Sequence, residues 1–438
     1  MPERINGLDL LRYCAIKCLV EDIIMAQRTV RSKRSIAKLD GLKGFGLRGQ
    51  QQPLPKRRRI ETPIDLSIAE NWSIRPELVS LFQNAIQNHL DSHLGDTGLM
   101  HALSTLFNEH FDPHSPVKPS HIALAPGSSS SLAGLVGQIC DPREGVLVPA
   151  PFWNGFDFHF TIHAQVHPVI APIRNLEHAF DANTLIESLT TAYDETPLRI
   201  RAVVLTTPGN PLGQCYTKRT LELCAQFCQD RGLHLICDEV YALSYFAKPS
   251  DDNVPFRSVL TLDLSSIGCD PSRIHMVWSL SKDFGCSGLR LGCVVSQANP
   301  DLILALQLPS STEVSALTSL CATALLTSPT LPNLVTVNRK RLDDSYKAMA
   351  TILQTHKVQY IPATAGLFVF ARLRPNASPD EETKFQQRLK SEGIAVSPGQ
   401  AYHAGPENSG WYRLTFALPP AQLKRALAIL DRSLRNNV

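Results

Sequence analysis

Trp278-Ser-Leu-Ser-Lys-Asp-Phe-Gly-Cys-Ser-Gly-Leu-Arg-Leu-Gly292 decides the reading of this 438-residue chain. The stretch gathers Ser279, Lys282 and Arg290 into one turn-rich segment between two apolar runs. A lysine amine condenses with an aldehyde, and a nearby hydroxyl and guanidinium hold a phosphate. Upstream, Ile236-Cys-Asp-Glu-Val-Tyr241 ends an apolar run in a carboxylate, Asp238, suited to a basic ring nitrogen. An aldehyde that carries both a phosphate and such a ring is pyridoxal 5′-phosphate.

Outward from these segments, between residues 120 and 296, apolar strand-like runs alternate with helical patterns. Strands are predicted at 121–125, 145–149, 165–169, 201–206, 233–237, 274–278 and 290–295, with helices such as 129–140 and 217–230 between them. This alternation predicts an α/β fold around a mostly parallel seven-stranded sheet, covered on both faces. Ligands of such sheets bind beyond the carboxyl ends of the strands. Gly127, Asn210, Asp238 and Ser279 each follow a predicted strand, so one crevice collects them.

The last third changes character. A helical run near 331–355, Gly366-Leu-Phe-Val-Phe370, a helix near 380–392 and Trp411-Tyr-Arg-Leu-Thr-Phe416 predict a smaller α+β domain. The expected organisation is a basic, partly irregular extension at 1–62, an N-terminal part of the small domain at 63–100, a large cofactor-binding domain at 101–325 and the remaining small domain at 326–438. There are no internal repeats.

Composition narrows the class. An apolar fraction of 43% supports a buried core, and a net charge of +3 makes no case for nucleic acid. The eleven cysteines are scattered without a C-x-x-C pair, which fits reduced thiols in the cytoplasm and no metal site. Cys224 and Cys228 lie one helical turn apart and are expected to pack on a helix face. No apolar run reaches the ~20 residues of a membrane span. Residues 28–59 hold eleven Lys/Arg against one acid, Asp40, and read as a solvated arm. Gly44-Phe-Gly-Leu-Arg-Gly49 matches a dinucleotide fingerprint only in spelling, because no strand precedes it.

Each candidate residue has a chemical reason. Lys282 is the expected Schiff-base lysine, and its freed amine serves as general base at Cα. Asp238 is expected to pair with the pyridinium nitrogen. Tyr241 and Asn210, the latter in Thr206-Thr-Pro-Gly-Asn-Pro-Leu-Gly213, reach for the cofactor's phenolic oxygen. Ser128 and Ser129, at a helix N-terminus after Gly127, offer N–H groups to a phosphate, although capping accounts for the serines equally well. Trp153 is placed to stack on the cofactor ring, and Arg413 to clamp a substrate carboxylate.

Taken jointly, Ala69-Glu-Asn-Trp72, Asn210-Pro-Leu-Gly213, Asp238-Glu-Val-Tyr241, Ser279-Leu-Ser-Lys-Asp283, Gly288-Leu-Arg-Leu-Gly292 and Gly410-Trp-Tyr-Arg413 resemble the fold-type-I aminotransferase superfamily. The likeness covers residues 62–438 and is strongest to the 1-aminocyclopropane-1-carboxylate synthase-like branch. It implies pyridoxal 5′-phosphate bound through Lys282, with Ser279 and Arg290 on the phosphate. It also implies a homodimer with active sites at the subunit interface, and Glu70 and Asn71 near the substrate. One departure stands out: the family's tyrosine before the glycine-rich turn is missing from His93-Leu-Gly-Asp-Thr-Gly98, which weighs against cyclopropane formation.

The extension before Ala69 is similar to fungal homologues of gliotoxin-type epidithiodiketopiperazine pathways, some of which are carbon–sulfur lyases. The leading expectation is therefore a carbon–sulfur β-lyase acting on a cysteine-derived thioether. Transamination to a 2-oxo acid uses the same residues. A non-catalytic binding or regulatory protein is the expectation from another class, and the retained Lys282, Asp238 and Arg290 speak against it.

Overall fold

The computed structural model describes residues 63–89, 98–246, 254–310 and 313–435. The expectations for residues 1–62 and for His93 lie outside the described residues.

After a short strand, β1 (Ile64–Asp65), helices α1 (Arg75–His89) and α2 (Leu99–His110) lead into the large sheet. Its strands are β2 (Ile122–Ala125), β3 (Gly145–Ala150), β4 (His167–Pro172), β5 (Ile200–Thr206), β6 (His234–Asp238), β7 (Ile274–Ser279) and β8 (Gly292–Val295). They lie in the order β2-β8-β7-β6-β5-β3-β4. β8 runs antiparallel to β2 and β7, and every other pairing is parallel.

Successive side chains of a strand point to opposite faces, and both faces here are covered. Val203, Leu205, Leu235 and Cys237 enter one core, while Ala202, Val204 and Ile236 enter the other. That is why these strands read as unbroken apolar runs. Helices α3 (Ser128–Ile139), α4 (Ala182–Glu195) and α5 (Lys218–Arg231) link them. Thr217 caps α5 through Thr220 N, Gly232 ends it at φ +65°, and Cys224 and Cys228 are buried on its inner face.

Two predicted strands shift. β4 starts at His167 because Gln165 turns left-handed at φ +60°. Arg290, at φ +54°, likewise stands outside β8.

Beyond β8 come α6 (Pro300–Ser310), α7 (Ala316–Leu326) and α8 (Leu331–Thr355). The second sheet follows with β9 (Tyr360–Ile361), β10 (Phe368–Arg372), α9 (Pro379–Glu392), β11 (Ile394–Ala395), β12 (Ser397–Pro398), β13 (Trp411–Thr415) and α10 (Pro420–Arg435). Its antiparallel order is β12-β13-β10-β9, and β1 pairs separately with β11.

At 1.5 Å per residue, α8 is about 37 Å long and joins both cores. Leu331, Leu334 and Val335 pack with the large sheet, and Leu342, Met349 and Leu353 with the small one. The described residues of 63–100 divide similarly, against the expectation that they pack with the small sheet. Ile64, Leu66 and Ala69 do so, but Ile74, Leu78 and Leu99 join the large-sheet core. Among the described residues no single helix is long and apolar enough to cross a membrane.

Candidate active site

The carboxyl ends of β2, β5, β6 and β7 bring Gly127, Asn210, Asp238 and Ser279 to one end of the sheet. Lys282 follows directly, in a single helical turn over Leu280–Asp283 whose first N–H groups are capped by Ser279. Its Nζ donates to Ala69 O at 2.8 Å. Desolvation, with help from the guanidinium groups of Arg413 and Arg290, pushes the amine down to about 8, while Glu70 and Asp238 oppose the shift. An amine so placed is available as a neutral nucleophile or base near physiological pH.

Ala69 belongs to a strap, residues 66–71, that leaves β1 and crosses the site. On the strap Glu70 is partly buried, and its Oε2 accepts from Ser287 Oγ at 2.7 Å. Its Oε1 is buried and has no hydrogen-bond partner. Burial raises the carboxyl above its ordinary range, against the pull of Ser287 and Lys282. Ser67 O accepts from Arg413 Nη2.

Arg413 sits on β13 opposite Phe370 and Ser397, 5% exposed, with its guanidinium 4.9 Å from the Phe368 ring and 5.0 Å from that of Tyr402. Its Nη1 donates to Asn210 Oδ1 at 2.8 Å, joining the two sheets at the site. Tyr241 is 2% exposed, edge-on to Phe368, and burial raises its phenol.

Asp238 ends β6 with 4% of its surface exposed, and its Oδ1 has no partner. Burial lifts its carboxyl to about 7, although the Val240 N–H and Lys282 favour the ionised form.

The fourth corner is a cradle of backbone. Gly127, at φ +93°, precedes α3, and a Cβ there would come within 2.2 Å of Arg290 Nη2. A Cβ on Gly292 would reach Gly127 C and Ser128 N at 2.5 Å. Arg290 is oriented by donating to Ser287 O and Pro126 O, each at 2.9 Å. Ser128 and Ser129 occupy the first turn of α3, where N–H groups find no acceptor within the helix.

Trp153 is half-buried, edge-on to Phe156 and tilted against His159. Burial, His163 and Arg290 together push His159 down to about 4, so this aromatic layer borders the Arg290 corner.

Asn71 is not free for a substrate. Its Nδ2 donates to Asp283 O at 3.0 Å and Asn338 Oδ1 at 2.8 Å, and its Oδ1 accepts from the Ser73 backbone and hydroxyl. All its hydrogen-bonding capacity is spent on anchoring the strap, and it is 1% exposed. Sequence reasoning missed this anchor, together with Asp283, Ser287 and Asn338. Asn338 did leave a signal, as a polar residue within the apolar stripe Leu334, Val335, Leu342.

Residues 76–430 match the family model of the class I and II aminotransferases. This chain belongs to that family. The chain is 44% identical over 411 residues to "probable aminotransferase aclI" of Aspergillus oryzae, covering 91% of this chain and 97% of that one. It is 50% identical over 381 residues to the "trimodular acetylaranotin synthesis protein ataIMG" of Aspergillus terreus, covering 87% of this chain but only 39% of that longer protein. Among solved structures, the aromatic aminotransferase of Pyrococcus horikoshii superposes with a TM-score of 0.73 at 22% identity, covering 92% of this chain and 99% of that one.

Family and fold make the protein a pyridoxal-phosphate enzyme. The residues present fit that cofactor: the partnerless Asp238 oxygen suits a pyridinium N–H, and the Arg290 guanidinium, packed against Gly127 at the start of α3, is a donor set suited to a phosphate.

Proposed function

We propose that the enzyme is a carbon–sulfur β-lyase that cleaves a cysteine-derived thioether in fungal secondary metabolism. The observation that carries this reading is Glu70. It is a carboxyl whose proton affinity is raised by burial, held by Ser287, with one oxygen uncommitted and in the electrostatic field of Lys282. β-Elimination uses a second proton-handling group, for the departing sulfur, which proton exchange at Cα alone does not require. The similarity to an acetylaranotin synthesis protein supports the same setting.

In this reading Arg413, oriented by Asn210, holds the substrate carboxylate, Asn210 and Tyr241 reach the cofactor's phenolic oxygen, and Lys282 removes the Cα proton. Bound pyridoxal phosphate supplies an electron sink for the charge left at Cα. Asp238 keeps that sink protonated, while Ser128, Ser129, Ser279 and Arg290 hold the phosphate. Glu70 delivers its proton to sulfur as the Cβ–S bond breaks. Thioether and one water are thereby converted to a thiol, pyruvate and ammonium. The nine cysteines among the described residues are all free and buried, which supports a reducing, cytoplasmic setting. The proposed assembly is a homodimer.

Transamination is the second reading, favoured by the name of the Aspergillus oryzae relative. Incubation with an S-substituted cysteine and pyridoxal phosphate, without a keto acid, separates the two. Pyruvate with stoichiometric thiol supports the lyase. Turnover only after 2-oxoglutarate is added makes the enzyme a transaminase.

A further inference from the structure

Lys282 is a long side chain whose usefulness depends on where its backbone is held, and the residue beside it does the holding. Asp283 is 1% exposed, and its carboxylate collects three donors, one from the nearby Trp278 and two from the distant pair Leu243 and Ser244. Oδ2 accepts from Trp278 Nε1 at 2.9 Å and from Leu243 N at 3.1 Å, while Oδ1 accepts from Ser244 Oγ at 2.7 Å. Its backbone carbonyl accepts from Asn71 at 3.0 Å and Asn338 at 3.3 Å.

One residue thus ties together the end of β7, the segment that follows Asp238 and Tyr241, the strap and α8. Gly285 makes the strap crossing possible: at φ +61°, a Cβ there would strike Asn71 O at 1.9 Å. The same strap presents Ala69 O to the Lys282 amine.

We propose that Asp283 is a positioning residue that fixes Lys282 relative to the Asp238–Tyr241 segment and to the strap. Its action is geometric, through the acceptors it supplies. Leu243 and Ser244 lie only a few residues beyond Asp238 and Tyr241, so their bonds to Asp283 set the separation of the two segments that grip the cofactor. Misplacement of a catalytic group by about 1 Å can cost on the order of 10²-fold in rate. The inference rests on the assignment of Lys282 as the cofactor lysine.

The test compares Asp283→Ala, Asp283→Asn and Lys282→Ala in the cofactor-loaded enzyme. The readouts are the visible absorbance band and its pH titration, cofactor loss on dialysis, and kcat and KM per bound cofactor. Asp283→Ala strands three donors and is expected to shift the band's titration midpoint, speed cofactor loss and lower kcat roughly 10- to 100-fold, with KM changed less than about 3-fold. Asp283→Asn keeps an acceptor for Leu243 N and Trp278 Nε1 and is expected to restore most of each. Should Asp283→Ala fail to fold, Ser244→Ala removes one donor and is expected to give the same changes at smaller size, with kcat down about 3- to 10-fold.

Unaltered kcat and titration in Asp283→Ala, or in Ser244→Ala where the former does not fold, overturn the proposal. So does an Asn variant as damaged as the Ala variant, which would mark charge and not geometry as the cause. Lys282→Ala keeping its visible band would instead remove the lysine assignment beneath it.

Discussion

Asp238→Asn is the most direct probe of how the site works, because it keeps the shape of the side chain and removes its charge. Burial moves the Asp238 carboxyl from its ordinary value of 3.8 to about 7. At 1.36 kcal/mol per unit, the ionised form is disfavoured by roughly 4 kcal/mol until a cation arrives. A pyridinium N–H at the partnerless Oδ1 is that cation, and the ion pair holds the ring nitrogen protonated. The ion pair must offset a penalty of this size, and an asparagine, which accepts the same hydrogen bond without the charge, supplies no such attraction. Each 1.36 kcal/mol is tenfold in rate, and 4 kcal/mol sets a ceiling of about 10³. Hydrogen bonding by the asparagine amide reduces the effect, and the expected loss in kcat is about 10²- to 10³-fold. KM is expected to change less than about 3-fold, because Arg413 carries carboxylate binding in the proposed site. The assay is steady-state turnover at saturating pyridoxal phosphate, with bound cofactor quantified after alkaline denaturation. A variant within about 5-fold of wild-type kcat at full occupancy would refute the electrostatic argument.

Three other outcomes are expected. Glu70→Gln keeps a hydrogen bond to Ser287 but has no proton to give; thiol release should fall at least about 10-fold, while exchange of the Cα proton with solvent deuterium, followed by NMR, should persist. Arg413→Lys loses a two-pronged carboxylate grip of about 1.5–3 kcal/mol, so KM for amino-acid substrates should rise roughly 10- to 100-fold, measured by initial rates. The cofactor-free protein should lose stability as pH rises from about 6.5 to 8, since below that range the buried His159, His234 and His275, pushed down to about 4, 4 and 3, oppose the acids. Asp238 and Glu239 have folded-state values raised to about 7 and about 8, so the stability they contribute is full near pH 4 and vanishes as pH passes through those values. Urea midpoints across that range check the trend, and cofactor loading should flatten it.

What the sequence made legible follows physical rules. β5 and β6 are buried on both faces, so their apolar runs are continuous and their ends, at Thr206 and Asp238, are sharp. The long helix α8 announces itself by its period, and its observed limits coincide with the predicted run. The β4 boundary was hidden because nothing about Gln165 announces a left-handed turn. Asn71 was misassigned because a motif names a residue without saying where its amide points. The contribution of Ser67 and Ala69 has no sequence signature at all, since it comes from backbone carbonyls. Asp283 stood in plain view beside Lys282, yet its partners lie up to 212 residues away and only the fold assembles them.

The arrangement of charge explains how one lysine can be both linked to a cofactor and used as a base. Around Lys282 the guanidinium groups of Arg413 and Arg290 stand against the carboxyls of Glu70 and Asp238, and both carboxyls are held above their ordinary range. The site is therefore biased toward positive charge, which favours a phosphate at Arg290 and a carboxylate at Arg413. In the protein alone, Ser67 O and Ala69 O satisfy Arg413 and Lys282 from a single strap. These carbonyls are dipoles and do not offset burial or the repulsion of the neighbouring cations, so the lysine amine stays depressed near 8. A substrate carboxylate at Arg413 then offsets part of that repulsion and raises the basicity of Lys282. Proton affinity at the base thus increases when the correct α-carboxylate is seated and the Cα proton is within reach.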